Sequence, residues 1–185
     1  MSSREQLLEQ MLILRCQMGD KDALAGLIER YQRPLRYFVG RLLDDAQTSE
    51  DIFQETWLTV IRRIHGLREP DAFSTWLYRI ARNKVYQQLR REKVWSELNE
   101  DIAVPNEQED DSFSLEDAAK VHRCLKELRP EHKEVLMLRF LEQMSYEQMS
   151  RVLDCNLGTV RSRLHYAKRA LRRELEKQQW QEKKT

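Results

Sequence analysis

The chain of 185 residues is 41% hydrophobic and 34% charged, and its formal net charge is +1. It contains five glycines and four prolines, too few for the closely spaced turns of β-sandwiches and barrels, so we expect an all-α fold. No uncharged apolar run approaches the roughly 18 residues that span a bilayer, and the N-terminus has no secretory signal, so we expect a cytoplasmic protein without membrane insertion.

The three cysteines, Cys16, Cys124 and Cys155, are odd in number and lack CxxC spacing. Structural zinc needs four ligands, and a disulfide framework needs paired cysteines. We therefore expect neither a metal nor a cofactor.

The even charge balance conceals three segments of different charge. Residues 1–95 carry 16 basic and 13 acidic side chains, residues 96–117 carry nine acidic and no basic ones, and residues 118–185 carry 16 basic and nine acidic ones. The acidic segment has too few apolar groups to offset its ordering entropy, so we interpret it as a flexible linker. An acidic strand that mimics nucleic acid in a basic channel is the alternative. The sequence therefore predicts two small helical domains, 1–95 and 118–185, joined by an acidic linker.

The first half of the first domain has two blocks of apolar residues at helical spacing. The first block consists of Leu7, Leu8, Met11, Leu14 and Met18. Gly19 and Asp20 follow it, which is typical of one helix ending and the next being capped. The second block spans residues 24–42 and contains Pro34, which predicts a local kink.

Two further helices complete the first domain. Thr48 or Ser49 is expected to cap the third helix. The segment His65–Asp71 contains a glycine and a proline, and it ends that helix. A fourth helix is then expected over Ala72–Lys93.

Capping signals divide the second domain into four predicted helices. Residues 115–128 form the first helix, and Pro130 suits the first position of the second. Ser145–Gln148 is a capping box that opens a short third helix. After a tight turn at Asp154–Asn156, in which Asn156 is a good N-cap, a long last helix is expected over Leu157–Lys177.

The last two predicted helices have the proportions of a helix-turn-helix, whose second helix enters the major groove of DNA. The apolar stripe of the last helix is Leu157, Val160, Leu164, Leu171 and Leu175. Its basic residues are Arg161, Arg163, Lys168, Arg169, Arg172 and Arg173. No acidic residue occurs from Cys155 to Arg173, and a helix of one charge sign is unfavourable unless a polyanion meets it, which favours DNA. A basic helix packed on a partner or on anionic lipid is the alternative.

Four motifs resemble one protein family. Ser145–Met149 (SYEQM) and Leu157–Leu164 (LGTVRSRL) resemble region 4 of the small extracytoplasmic-function (ECF) sigma factors, the bacterial initiation subunits that guide RNA polymerase to promoters. Ser49–Trp57 (SEDIFQETW) resembles their region 2.2, and Phe73–Asn83 (FSTWLYRIARN) resembles regions 2.3 and 2.4. The motifs occur in the family's order over nearly the whole chain.

The resemblance implies a function and partners. It implies a cytoplasmic sigma factor, nucleoid-associated within the holoenzyme, that is not itself an enzyme. Its expected partners are promoter DNA, the clamp helices and flap region of core RNA polymerase, and an anti-sigma factor. It also implies that the acidic linker threads the polymerase channel in which nascent RNA later runs.

The same resemblance assigns the downstream contacts to the first domain. Asn83, Leu67 and Arg68 are expected to contact the minus-ten element, and the phosphate contacts are expected from Arg79, Arg82 and Lys84. Three aromatic residues alternate with these basic ones, which suits base stacking: Trp76, Tyr78 and Tyr86. For Trp76 a core position is the equal alternative. The residues expected to dock on the polymerase clamp are Asp51, Gln54, Glu55 and Trp57, and the alternative is a solvated helix face.

The upstream contacts fall on the helix-turn-helix. A major-groove helix reads bases near its N-terminal end, and the expected minus-thirty-five readers are Arg161, Ser162, His165 and Tyr166. The expected phosphate contacts are Arg139, Tyr146, Thr159 and Arg163. The chain has Ser150 and Asp154 where family members usually have alanine and often glycine. Asp154 is expected to accept a left-handed turn at some energetic cost.

Two other classes of protein remain open on the residues alone. One is a helix-turn-helix repressor or activator that binds DNA without polymerase. The other is an enzyme, for which the sequence offers no HExxH, phosphate-loop or GxSxG motif and only four scattered histidines.

Overall fold

The computed structural model describes residues 3–43, 45–93 and 118–182. All regular elements within these residues are helical. The chain divides into two compact units, Met1–Ser96 and Glu97–Thr185, so the predicted two-domain all-α fold is confirmed. The predicted acidic linker lies outside the described residues. None of the helices in the described ranges is long and apolar enough to cross a membrane.

The described part of the first unit, residues 3–43 and 45–93, contains four α-helices: α1 (Ser3–Gln17), α2 (Lys21–Leu42), α3 (Ala46–Arg63) and α4 (Phe73–Lys93). Residues 64–72 join α3 to α4 through two 3₁₀ turns, Ile64–Gly66 and Pro70–Ala72; we call this segment the recognition loop. Helix α2 runs through Pro34 as one element.

The caps of the first unit match the sequence at α2 and differ at α3. The Asp20 carboxylate accepts hydrogen bonds from the backbone N–H groups of Asp22 and Ala23, as expected of an N-cap. Helix α3 begins earlier than predicted, because Asp45 rather than Thr48 or Ser49 caps it. The Asp45 carboxylate accepts the Thr48 N–H at 2.6 Å.

The core of the first unit is formed by aromatic and branched side chains of α2, α3 and α4. Phe38 and Tyr78 are almost fully buried and meet edge to face, with ring centroids 5.1 Å apart. Tyr31 and Phe73 make a similar contact at 5.4 Å. Tyr78 is therefore a core residue, and the prediction that it stacks on DNA bases is wrong.

Helix α1 packs on α2 with an unexpected face. Its predicted apolar stripe is 49–80% exposed: Leu7, Leu8, Met11, Leu14 and Met18. The buried face instead contains Glu9, Ile13 and Cys16. Tyr31 donates a hydrogen bond to one oxygen of the buried Glu9 carboxylate at 2.5 Å, and the Arg30 guanidinium lies 3.2 Å from the other. Gly26 of α2 lets the helices approach closely, since an added Cβ there would lie 3.3 Å from the Leu12 side chain.

Four α-helices also occur in residues 118–182, the described part of the second unit: α5 (Ala118–Lys126), α6 (Pro130–Leu136), α7 (Tyr146–Leu153) and α8 (Leu157–Glu182). A π-helical turn, Met137–Leu141, continues α6. Helix α8 packs mainly on α6, α5 and α7. Its buried side chains are Val160, Leu164, Ala167 and Leu171. Burial of this stripe leaves the basic residues of α8 on the opposite, wetter side.

Candidate nucleic-acid interface

The predicted helix-turn-helix is present at α7 and α8. Ser145 and Gln148 form the expected capping box: the Ser145 hydroxyl accepts the Gln148 N–H at 3.2 Å, and the Gln148 side chain accepts the Ser145 N–H at 2.8 Å. Asn156 caps α8, because its side-chain oxygen accepts the Thr159 N–H at 2.8 Å. Between the helices Asp154 is left-handed, with φ of 53° and ψ of 49°. The prediction of a left-handed Asp154 is confirmed.

The first three turns of α8 carry the predicted base-reading residues. Arg161 is exposed, while Ser162, His165 and Tyr166 are partly buried. The Ser162 hydroxyl donates to the Thr159 carbonyl at 3.0 Å. The Tyr166 hydroxyl is buried and has no hydrogen-bond partner among the described residues. Arg161 is thus the predicted base reader whose polar group is most accessible.

All four predicted phosphate contacts of the second unit have partners within it. Arg139 donates to the Met144 carbonyl at 3.1 Å, and its guanidinium lies over the Tyr146 ring at 5.1 Å. The Thr159 hydroxyl donates to the Asn156 side-chain oxygen at 3.0 Å.

The fourth residue, Arg163, lies 3.9 Å from a carboxylate oxygen of Glu134, which is completely buried. This contact orients the Arg163 side chain, because a buried carboxylate favours a nearby cation.

Further charges surround the predicted base readers. Beyond Arg161, α8 exposes Arg169, Arg172 and Arg173. Sequence analysis missed Arg151 of α7, which is exposed and acts with Arg161 on Glu147. The pKa of Glu147 is lowered, first by its hydrogen bond to a backbone N–H and then by Ser145 and the two arginines. The helix-turn-helix therefore has a mainly basic outer surface, with exposed acidic side chains at Glu147 of α7 and at Asp154 in the turn.

The predicted minus-ten residues lie on the recognition loop and on α4. Arg68 and Asn83 are exposed, and Leu67 is partly exposed. Trp76, Arg79 and Asn83 follow at steps of three and four, so they share one side of α4. Trp76 is partly exposed and also touches Phe73, with ring centroids 6.1 Å apart. Trp76 therefore lies between the two alternatives, a core residue and a residue that contacts DNA.

Two other predicted phosphate contacts on α4 have partners within the unit. The Arg82 guanidinium lies over the Tyr86 ring at 4.4 Å. The Lys84 ammonium donates to the Glu55 carboxylate of α3 at 2.9 Å. Lys84 was predicted to contact DNA phosphates and Glu55 was predicted to dock on polymerase. Their ion pair links these two predicted surfaces.

The surface expected to dock on polymerase is only partly as predicted. Asp51, Gln54 and Glu55 are exposed on one side of α3. Trp57 is only 5% exposed, so the prediction that it belongs to an exposed face is wrong. Leu58 and Ile61 continue that face instead, 50% and 41% exposed. The sequence contained a signal for this placement, because Leu58 and Ile61 follow Asp51 by seven and ten residues, which is helical spacing.

Among the residues that the structure describes, no group of three or more His, Cys, Asp and Glu side chains could hold a metal ion.

Comparison with known proteins identifies both units. Residues 27–94 match the family model "Sigma-70 region 2", and residues 118–171 match "Sigma-70, region 4". The RNA polymerase sigma-H factor of Pseudomonas aeruginosa is 34% identical over 91% of this chain and 94% of its own length. The ECF RNA polymerase sigma-E factor of Haemophilus influenzae is 33% identical over 93% of this chain and 97% of its own.

Solved structures share the fold. The sigma factor RpoE of Bartonella quintana, solved with the anti-sigma factor NepR, superposes with a TM-score of 0.65 at 22% identity, over 82% of this chain and 96% of that one. CnrH, solved with the cytosolic domain of CnrY, gives a TM-score of 0.63 at 19% identity, over 91% and 97% of the two chains.

Proposed function

The chain belongs to the ECF branch of the sigma-70 family of transcription initiation factors, and from this premise we propose how its residues divide promoter recognition. The second unit reads the minus-thirty-five element, and the first unit captures the opened minus-ten element. A separate surface of the first unit docks on the core polymerase. The chain contributes recognition and strand opening, and the chemistry of RNA synthesis belongs to the polymerase.

The observation that carries the upstream assignment is the capped turn before α8. The capping box at Ser145 fixes where α7 begins, the Asn156 cap fixes where α8 begins, and Arg161 lies exposed one turn into α8. A guanidinium near the N-terminal end of a major-groove helix can donate two hydrogen bonds to guanine. Arg139 and Arg163 are held by other groups of the unit, which suits residues that fix register on the phosphates.

The downstream assignment rests on the recognition loop and the exposed side of α4. Leu67, Arg68 and Asn83 receive an unstacked base, while Trp76 and Arg79 follow the single strand. Extruding a base costs a few kcal/mol, which contacts to the base and stacking must return. Partial exposure of Trp76 beside exposed Arg79 and Asn83 supports this role.

The docking surface on polymerase comprises acidic, amide and apolar groups of α3. Asp51, Gln54 and Glu55 provide the polar part, and Leu58 and Ile61 provide an apolar part that is unusual on a solvated helix. This surface meets the clamp helices of the largest subunit, and the second unit meets the flap region. We also propose an anti-sigma factor as the regulator, and the bacterial cytoplasm, with nucleoid association in the holoenzyme, as the location.

The assignment of the two units is tested with Arg161→Ala and Asn83→Ala in reconstituted holoenzyme. Arg161→Ala removes a base contact, so binding to the native upstream element should fall by about 1 to 3 kcal/mol, with sequence discrimination lost at one position. Arg172→Ala is the matched control, since it removes an exposed arginine three turns further along the helix. Arg172→Ala should weaken DNA binding less than Arg161→Ala does, and by the same amount for every DNA sequence.

Asn83→Ala should leave upstream binding intact and reduce permanganate reactivity of the minus-ten thymines. In the double variant the two free-energy effects should add within about 0.5 kcal/mol, because the side chains lie on separate units. If holoenzyme carrying Asn83→Ala opened the minus-ten element normally, the proposed role of α4 in capturing the single strand would be wrong. Promoter-specific binding by the chain without core polymerase would favour a self-sufficient regulator instead.

A further inference from the structure

The side-chain amide of Gln17 joins the last residue of α1 to the recognition loop. Its Nε2 donates to the Ile64 carbonyl at 2.9 Å and to the Leu67 carbonyl at 2.7 Å. A side-chain amide nitrogen has two N–H donors, and both are used here. Only the nitrogen end of the amide can make these contacts, since both partners are acceptors.

Two further contacts extend this connection along the loop. The His65 Nδ1 lies 2.7 Å from the Gln17 backbone carbonyl, a contact in which the ring nitrogen donates. Gln10, two turns earlier on α1, donates to the Asp71 carboxylate. Helix α1 thus contacts the loop near its beginning, on both sides of Gly66, and near its end.

The position of Gln17 is itself rigidly determined. Gly19 is left-handed with φ of 86°, and the N–H groups of Gly19 and Asp20 donate to the Cys16 and Arg15 carbonyls at 3.0 and 3.1 Å. This is the Schellman arrangement of a helix end. Asp20 also pairs with the Arg15 guanidinium at 2.7 Å and caps α2. The amide of Gln17 therefore projects from a corner with little freedom to move.

The loop has limited hydrogen bonding of its own. Backbone bonds close a turn from Leu67 to Ile64 at 3.1 Å and another from Ala72 to Glu69 at 3.0 Å. Arg68, between these turns, is exposed. Gln17 holds the carbonyl immediately before Arg68, so it acts at the point where the loop is least bonded to itself.

We infer that Gln17 is a positioning residue for minus-ten recognition: its amide fixes the backbone at Leu67 so that Leu67 and Arg68 are held ready for an unstacked base. This inference rests on the proposed role of the recognition loop. A base-capturing site works best when its backbone is ordered before the base arrives, since ordering it on binding would weaken capture.

The test compares Gln17→Glu with Gln6→Glu. The first replaces an amide donor by a carboxylate facing two carbonyl oxygens, while the second makes the same change at an exposed position of the same helix. Holoenzyme containing Gln17→Glu should bind a fluorescent single-stranded oligonucleotide of the minus-ten region about tenfold more weakly, because two hydrogen bonds are lost. Its affinities for core polymerase and for upstream duplex should stay unchanged. Gln6→Glu should behave as wild type in all three measurements.

Gln17→Leu removes both donors without adding charge, and it should show the same selective loss in smaller degree. Two results would overturn the inference: wild-type oligonucleotide binding by both Gln17 variants, or a loss of core and upstream binding in proportion to the loss of oligonucleotide binding. Failure of both variants to assemble a holoenzyme would also overturn it, because Gln17 would then be needed for folding.

A parallel variant of the loop separates this inference from the proposed function. Leu67→Ala combined with Arg68→Ala should weaken oligonucleotide binding if the loop captures the base. If that double variant binds normally, the proposed role of the loop fails. If it binds weakly and the Gln17 variants bind normally, the positioning inference alone fails.

Discussion

The two recognition elements of this protein are positioned in different ways. In the second unit, the starts of α7 and α8 are each set by hydrogen bonds between residues three positions apart, Ser145 and Gln148 at α7 and Asn156 and Thr159 at α8. In the first unit, the recognition loop is held by Gln17 and Gln10 across 47, 50 and 61 positions of sequence. The upstream reader therefore depends on local signals, and the downstream one depends on how a distant helix packs.

This difference suits the two tasks. A helix entering the major groove of intact duplex needs a defined start and a rigid axis, which short-range caps and a buried apolar stripe provide. A loop that receives an extruded base needs support from outside, because short loops have few hydrogen bonds of their own. The predictions below test this contrast, beginning with the largest expected effect.

Phe38→Ala tests whether each recognition element depends on its own unit. Phe38 is 1% exposed and contacts Tyr78 edge to face, so its truncation should destabilise the first unit by about 3 to 5 kcal/mol. Hydrogen exchange followed by mass spectrometry should then show faster exchange in α2, α4 and the recognition loop. Equally faster exchange in α7 and α8 would mean that the two units do not unfold separately.

Glu134→Gln tests whether α8 also needs a long-range contact. Glu134 is fully buried and lies 3.9 Å from Arg163, so loss of its charge should reduce the unfolding free energy of the second unit by about 1 to 3 kcal/mol. Urea denaturation measures this, with the exposed Glu127→Gln as the control. If Glu134→Gln had the urea midpoint of the wild type, the caps and the apolar stripe would be sufficient to position α8.

The pH dependence of stability should distinguish the units. Burial, with a smaller contribution from Arg129, lowers the pKa of His132 in α6 despite the opposing charge of Glu131. The pKa of His132 in the folded state lies below its unfolded value of about 6.5. The stability that depends on a neutral His132 is therefore present above that value and is lost as the pH falls through the folded pKa. The second unit should therefore lose stability in mild acid, and His132→Gln should remove that loss.

The carboxylates of the first unit titrate at lower pH. A hydrogen bond from the Ala23 N–H lowers the pKa of Asp20, hydrogen bonds from the Thr48 hydroxyl and then its N–H lower the pKa of Asp45, and Arg36 lowers the pKa of Glu50. Their contribution is present above the unfolded values near 4 and is lost only below them. The urea midpoint of each unit can be measured by hydrogen exchange at about pH 7.5 and at about pH 5.5. The midpoint should be lower at about pH 5.5 in the second unit alone. A parallel fall in the first unit would contradict this assignment.

Asp154→Gly should have the smallest effect and the opposite sign. Asp154 adopts φ of 53°, a conformation that glycine reaches without Cβ strain. The substitution should raise the unfolding free energy of the second unit by less than about 1 kcal/mol, since relief of strain exceeds the added entropy of the unfolded chain. Thermal unfolding measures the shift, and a lower midpoint would show that the aspartate side chain stabilises the turn.

The sequence by itself determined the features that arise within a few residues. The two-domain all-α organisation follows from the scarcity of turn residues and the acidic segment, and the helix-turn-helix follows from the capping box, the Asn156 cap and the one-signed charge of α8. The capping box and the Asn156 cap act through neighbouring backbone groups, so they can be recognised without knowledge of the helices that pack nearby. The exposure of Arg161 opposite the buried stripe of α8 was predictable from the helical spacing of the apolar residues.

Only the tertiary structure decided which of several similar faces became buried. Helix α1 offered an apolar stripe at Leu7, Met11 and Leu14, yet the face carrying Glu9 packs on α2, because Tyr31 and Arg30 of α2 each contact one carboxylate oxygen and Gly26 permits close approach. The burial of Trp57, the Lys84–Glu55 pair and the Gln17 contacts likewise join residues far apart in sequence. A helical repeat specifies that a face exists, but its partner depends on the shapes and hydrogen-bonding groups of the helices that pack against it.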